Sequence, residues 1–436
     1  MRLALVALLA GCPGNVPTDP TATDPPTPEP LNDPISMPLE PTVDLGDFQG
    51  AASCEGCHEE HVQEWSTSMH AYAMVDPLFR AIVEVRQADL NGAEDRFCVQ
   101  CHSAIGTRSG SLDIGFSFDD QPAIVTEGIT CVSCHKITSV ERPWNAGHAI
   151  DPLAPMQGPS GTPSPIHEVS QSAVFQDSVL CGSCHDVIET SGLPLERPYA
   201  EWLESPAAAA GTTCQDCHMP PTEDGRHSHR FVGVDLPLVD GFVDEATRAD
   251  LQLRIEELLA GSADLELDVF DVAPGQTASA VVTVHNLIEG HAFPTGSTFI
   301  REAWVELVAR ADGEVFYETG TLDANGDLRN YWSELEPYGD HDLISFASNF
   351  TDAAGAPTVF SWRATDHTSR AISPGYPRTS TLFLPVPEGA QEVTVEARLR
   401  FRAIPPYLLR LVGLDAYAVD LPVYDIDTAS WVQVGP

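Results

Sequence analysis

The sequence predicts an α+β chain with more than one domain. A loop-rich domain of mostly short helices covers residues 49–235, and an immunoglobulin-like β-sandwich follows over 265–436. Three observations lead there. Ten of the eleven cysteines crowd between Cys54 and Cys217, in a stretch with few long helical or strand patterns. No cysteine follows, and the runs 278–286, 299–311, 379–386 and 391–403 are rich in Val, Thr, Leu and Phe, with partial alternation and turn residues between them. Such runs are half-buried strands, and about seven of them make a sandwich. Between the two parts, residues 244–260 place Leu251, Leu253, Ile255, Leu258 and Leu259 at helical spacing and stop at Gly261, so a connecting helix is expected within 236–264.

The first residues have their own character. Met1-Arg2 is followed by an apolar run to Ala10, and Leu9-Ala10-Gly11-Cys12 resembles a bacterial lipobox. Residues 1–12 therefore read as a lipoprotein signal peptide, with Cys12 the lipidated residue left by cleavage. The run is too short to span a bilayer, so the membrane is reached through lipid alone. Residues 13–48 are dominated by Pro, Thr and Asp; they cannot bury a core, and proline holds them extended, as in a disordered tether. The expected location is extracytoplasmic, anchored in the outer membrane on its periplasmic or cell-surface side. The competing reading is a soluble secreted protein that loses Cys12 with its signal.

Lys and Arg number 22 against 64 Asp and Glu, a formal net charge of −42. That balance excludes nucleic acid and an anionic membrane surface as partners, and it fits a solvated acidic surface or a basic redox partner.

The chemistry lies in one repeated pattern. Cys54-Glu55-Gly56-Cys57-His58, Cys98-Val99-Gln100-Cys101-His102, Cys131-Val132-Ser133-Cys134-His135, Cys181-Gly182-Ser183-Cys184-His185 and Cys214-Gln215-Asp216-Cys217-His218 are each C-x-x-C-H, the attachment signature of c-type haem. Two thiols one helical turn apart reach the two vinyl groups of one haem edge. The adjoining histidine then lies under the iron. Structural zinc does not require His after every second Cys, disulfides do not give five identical spacings, and a thioredoxin-type motif occurs once. Five haems are expected, with His58, His102, His135, His185 and His218 as proximal ligands. In so short a stretch the porphyrins must form much of the core.

Electron-transfer haems hold iron between two strong axial ligands. The chain has 15 His, so ten remain outside the motifs. His70 is the first distal candidate, in Trp65-Ser66-Thr67-Ser68-Met69-His70-Ala71. C-x-x-C-H followed by W-x-x-S-x-H-A resembles the multihaem cytochromes related to the tetrahaem cytochrome of nitrifiers, the hydroxylamine oxidoreductases and the pentahaem nitrite reductases. The resemblance implies that His70 ligates a haem attached further along the chain. His167, in Ser164-Pro165-Ile166-His167, stands in a context similar to that group. His229 follows, in His227-Ser228-His229-Arg230-Phe231, where His227 is an alternative. Gly290-His291-Ala292-Phe293-Pro294-Thr295-Gly296 resembles a string in extracellular multihaem cytochromes with a C-terminal β-domain, as does Arg402-Ala403-Ile404-Pro405-Pro406. His291 is thus either a ligand reaching across the domain boundary or a loop residue that only packs. His148 is the fifth distal candidate. His61 reads as a surface group or a neighbour of the ligands, and His285, His341 and His367 as structural or exposed. Unlike the pentahaem nitrite reductases, whose substrate-binding haem often uses a lysine variant, every motif here ends in His, which counts against nitrite reduction.

Three functions are open on this reading. The first is an electron carrier with haems mainly ligated by two histidines. The second is a reductase or oxidase of a small nitrogen or sulfur oxyanion at one open haem. The third is a subunit of a conductive filament, with redox proteins or further copies of the chain as partners. Asp323, Asn325, Asp327 and Glu334 sit at calcium-loop spacing, but Leu328 stands where that loop needs Gly, so a turn is the better reading than calcium.

Overall fold

The computed structural model describes residues 41–419 and 421–435. The expected signal peptide, Cys12 and most of the tether lie outside the described residues.

From residue 41 to 235 the chain is a succession of short helices and loops. Glu55–Ser66 and Pro77–Leu90 are its longest helices, at 12 and 14 residues. Strand content is limited to two-residue to four-residue ribbons: Ile137–Val140 with His148–Ile150, Met156–Gly158 with Val169–Gln171, and Val187–Ile188 with Pro194–Glu196. Only two small apolar clusters belong to this part, one around Met74, Val83, Val99, Leu112, Phe118 and Val125, the other around Phe48, Ile105 and Val132.

The second part is β-rich. Glu314–Thr319, Glu302–Ala311, Glu392–Arg402 and Tyr424–Val434 form one antiparallel sheet in that order, and Arg378–Pro385, Thr277–Asn286 and Ala263–Phe270 form another. Period-two burial faces the sheets toward each other. Val393, Val395, Ala397, Leu399 and Phe401 from one sheet meet Ala278, Ala280, Val282 and Val284 from the other in the largest core of the molecule. The helix Glu245–Ala260 adds Ile255 and Leu259 to that core, and Asp244 caps it by accepting from the Thr247 amide at 2.7 Å.

Residues 320–377 interrupt the sandwich and carry a small sheet, Asn349–Asp352 between Pro357–Thr358 and Ala364–Thr368. This insertion ties the two parts together. Leu78 of the Pro77–Leu90 helix packs with Val359, Phe360, Tyr407, Leu408 and Leu409. Below that patch, Arg86 forms a buried two-pronged ion pair with Glu189, which also accepts from the Ser361 hydroxyl. Asp89 receives both Trp362 and Arg363.

Candidate haem sites

Each motif occupies a helical turn, which sets its two thiols on one side. Arg96–His102, Cys131–His135 and Cys214–His218 contain complete motifs. The last two begin at Thr130 and Thr213, each in a reciprocal capping box. Asp216, inside the fifth motif, accepts from both the amide and the hydroxyl of Thr213, at 2.7 and 2.8 Å. In the first motif Cys54 caps Glu55–Ser66, and His58 departs from helical geometry at φ −122°, ψ 40°.

Besides the local contact of His58 with His61, four ring pairs among the described residues join a motif histidine to a histidine distant in the chain. His58 stands opposite His167 with centroids 6.4 Å apart, His185 opposite His70 at 6.2 Å, His135 opposite His229 at 6.4 Å, and His218 opposite His291 at 6.3 Å. These spacings are too wide for stacking. Two imidazoles on opposite sides of one metal, each with a bond of roughly 2.0–2.1 Å and about 1.1 Å more from nitrogen to ring centre, come to about 6.3 Å. The residues therefore fit iron between each pair.

Hydrogen bonding orients the rings for the same task. Nδ1 faces a backbone carbonyl in His102 (Ala73, 3.3 Å), His135 (Gln157, 2.6 Å), His167 (Glu168, 3.2 Å), His229 (His227, 2.9 Å) and His291 (Ala292, 2.9 Å). A carbonyl can only accept, so the proton sits on Nδ1 and the Nε2 lone pair is free for a metal. Desolvation lowers His70 to about 3 and His229 to about 4, and it also lowers His102, His135 and His291. Neutral imidazole is the form that coordinates.

Local structure explains the distal positions. Ser68 caps Met69–Tyr72, the turn that carries His70, and Trp65 Nε1 donates to the Ile129 carbonyl at 2.8 Å. The His70 carbonyl accepts from the Ile129 amide, and the preceding Gly128, at φ 68°, leaves no room for a side chain: a Cβ there would lie 2.6 Å from that carbonyl oxygen. The His229 amide donates to Glu64, which also takes Arg226.

His102 differs from the other motif histidines. Its ring partner is Phe79, stacked at 3.7 Å and 6°. His148 is buried with Nδ1 on Ser183 Oγ at 3.0 Å, Cys184 Sγ 4.0 Å away and Nε2 without a partner. Among the described residues no ring pair joins His148 to a motif histidine. His61 touches the rings of His58 and His229, at 5.7 and 4.8 Å. His227 is exposed, with Nδ1 on the Met219 carbonyl. His285 lies 3.5 Å from Glu266, His341 is exposed, and His367 packs on Phe350. Neither Phe79 nor Ser183 carries a sequence signal for its role.

Thiols of different motifs meet: Cys54 with Cys131, Cys101 with Cys184 and Cys181 with Cys214, each pair within hydrogen-bonding reach. At the acidic loop, Asp323 accepts from the amides of Asn325 and Asp327 and from Ser333, while Asp327 takes Arg410 and the Tyr407 amide. Protein donors thus hold these carboxylates as in a turn.

Residues 53–136 match the family model described as cytochrome c554 and c-prime. The fold is similar to that of a penta-heme cytochrome c552 from Thermochromatium tepidum, with a TM-score of 0.61 at 20% identity over 89% of this chain and 99% of that one. No curated protein matches. The likeness is to multihaem c-type cytochromes, and the fold is a cytochrome-like N-terminal domain followed by a C-terminal β-rich domain. Haem c is the cofactor of this class, and electron transfer its general work. Among the described residues no helix is long and apolar enough to cross a membrane.

Proposed function

We propose that this chain carries five haem c groups and passes electrons between redox proteins outside the cytoplasm. The four ring pairs at 6.2–6.4 Å carry the reading. On this reading His58 and His167 would serve the Cys54/Cys57 haem, His135 and His229 the Cys131/Cys134 haem, His185 and His70 the Cys181/Cys184 haem, and His218 and His291 the Cys214/Cys217 haem, which the ring pairs support. Bound haem supplies iron that cycles between ferric and ferrous states. Strong axial ligands on both sides keep that change free of ligand exchange. The thiol contacts support close approach of the first and third, the second and fourth, and the fourth and fifth haems, as electron passage between them requires. The Cys12 lipid and the tether would hold the folded part at the outer membrane with reach toward a partner.

The test is haem content with electron paramagnetic resonance of the ferric holoprotein. Five haems per chain and four low-spin, two-histidine signals are expected. Fewer haems, or fewer such signals, would overturn the assignment.

One observation favours a second reading. His102 faces Phe79 and no second histidine, so the Cys98/Cys101 haem is the place for an open iron that takes a small nitrogen or sulfur oxyanion. A high-spin signal that shifts with nitrite, hydroxylamine or sulfite supports this reading. Five low-spin signals insensitive to all three would remove it.

A further inference from the structure

His291 and its opposite ring, His218, come from different domains. The 6.3 Å between them is therefore set by how the sandwich sits on the N-terminal part, and local chain geometry does not fix it. The loop that carries His291 is gripped from the N-terminal side by three carboxylates. Glu201, in the Pro198–Leu203 helix, accepts from the Ala292 amide at 3.1 Å and from the Thr295 hydroxyl at 2.6 Å, both on Oε2. Glu196 accepts from the Ser297 hydroxyl. Asp235 takes both terminal nitrogens of Arg301, at 2.5 and 2.7 Å. From the sandwich side, Asn286 Nδ2 holds the His291 carbonyl at 2.9 Å.

We propose that Glu201 is the positioning residue for His291, the latch that keeps this imidazole in place opposite His218. The proposal rests on the reading that these two rings share one iron. Glu201 bonds the residue next to His291, whereas Glu196 and Asp235 act six and more residues further on. Ala292 is 6% exposed, so losing its acceptor strands a buried amide and frees the half-buried Thr295 hydroxyl. The loop then has reason to move, and His291 moves with it. Charge is not the essential property, because an amide oxygen at the same place accepts equally well.

The experiment uses the full-length holoprotein in four forms: wild type, Glu201→Ala, Glu201→Gln and His291→Ala. Two readouts are taken on each: the number of low-spin signals in the ferric state and the equivalents of carbon monoxide bound after reduction. Carbon monoxide binds ferrous iron whose sixth position is open or easily vacated. Glu201→Ala and His291→Ala are each expected to lose one low-spin signal and gain one equivalent of carbon monoxide, while Glu201→Gln behaves as wild type. Where Glu201→Ala loses haem, Thr295→Val, which removes only the hydroxyl, takes its place, with partial gain expected. If His291→Ala shows the change and neither the Glu201→Ala nor the Thr295→Val protein does, the latch is wrong and the ligand reading stands. If His291→Ala changes neither readout, the ligand reading fails and the latch falls with it.

Discussion

Arg86→Met tests a buried ion pair of the N-terminal part, on which Ser361 and Trp362 of the insertion rest. The Arg86 and Glu189 side chains are 2% and 1% exposed, with Nη1–Oε1 at 2.7 Å and Nη2–Oε2 at 3.0 Å. Nη2 also bonds the partly exposed Glu94 carboxylate, which water can reach, and the guanidinium lies over Phe97 at 4.3 Å and Trp362 at 5.2 Å, aromatic faces that accept methionine. Removing one partner of a buried pair costs about 3–5 kcal/mol, because the other charge is left behind. Glu189 keeps the Thr190 amide at 3.1 Å and the Ser361 hydroxyl, which places the loss near the lower figure, about 3 kcal/mol. Adding Glu189→Gln removes the stranded charge, so the double variant should recover most of the stability. Urea titrations of the four proteins of this cycle, followed by far-ultraviolet circular dichroism, give the coupling energy. An Arg86→Met protein within about 1 kcal/mol of wild type, or a double variant no better than the single, would refute the claim that this pair stabilises the surface on which Ser361 and Trp362 of the insertion rest.

Three further outcomes follow from single sites. Asp76 caps the Pro77–Leu90 helix through the Leu78 amide at 2.9 Å, and burial, with Asp235 adding and Arg301 opposing, pushes its carboxyl up to about 6. A folded-state value above the unfolded one means that protonation favours the fold; its contribution is full below about 4 and is lost as pH rises through 6. Asp76→Asn keeps the cap acceptor and should exceed wild type by up to about 2–3 kcal/mol at pH 7.5 but match it near pH 4; equal differences in melting at both pH values would contradict this. His70→Ala, His167→Ala and His229→Ala should each turn one low-spin resonance signal into a high-spin one, whereas His148→Ala should leave all four in place. Cys12→Ser should abolish labelling of the chain by radioactive palmitate and release it from membranes, and continued labelling would rule out the lipid anchor.

Legibility followed the range of the interactions. The thiol-bearing turns are local, so spacing alone reveals them. The sandwich reads well because Val393 to Phe401 alternate strictly between core and solvent. His70, His167, His229 and His291 could be singled out by their surroundings, but their partners could not. His70 sits beside the first motif, yet the path through Gly128 and Ile129 delivers it to His185 of the fourth. The Arg86–Glu189 bond spans 103 residues and has no trace in either local segment. Residues 320–377 escaped notice because their strands have two to five residues and their apolar side chains pack against another part of the molecule, which erases period-two alternation. His148 was chosen for being spare, and its Nδ1 bond to Ser183 depends on a tertiary contact that no spacing shows.

The net charge makes a prediction about docking. Several arginines are paired inside the protein: Arg86 on Glu189, Arg301 on Asp235, Arg402 on Glu302 and Arg410 on Asp327. Each such pair removes one positive and one negative charge from the surface, so the excess of 42 acidic groups is borne by a surface with still fewer cations than the composition states. A basic redox protein is therefore drawn in by the whole field, and an acidic one is repelled. Stopped-flow oxidation of the reduced holoprotein by a small basic cytochrome should slow steeply between about 10 mM and about 150 mM ionic strength, where the Debye length falls from about 30 Å to about 8 Å. An acidic acceptor should show the opposite trend. A rate that ignores salt with both acceptors would mean that docking depends on a neutral patch, and the argument from net charge would be lost.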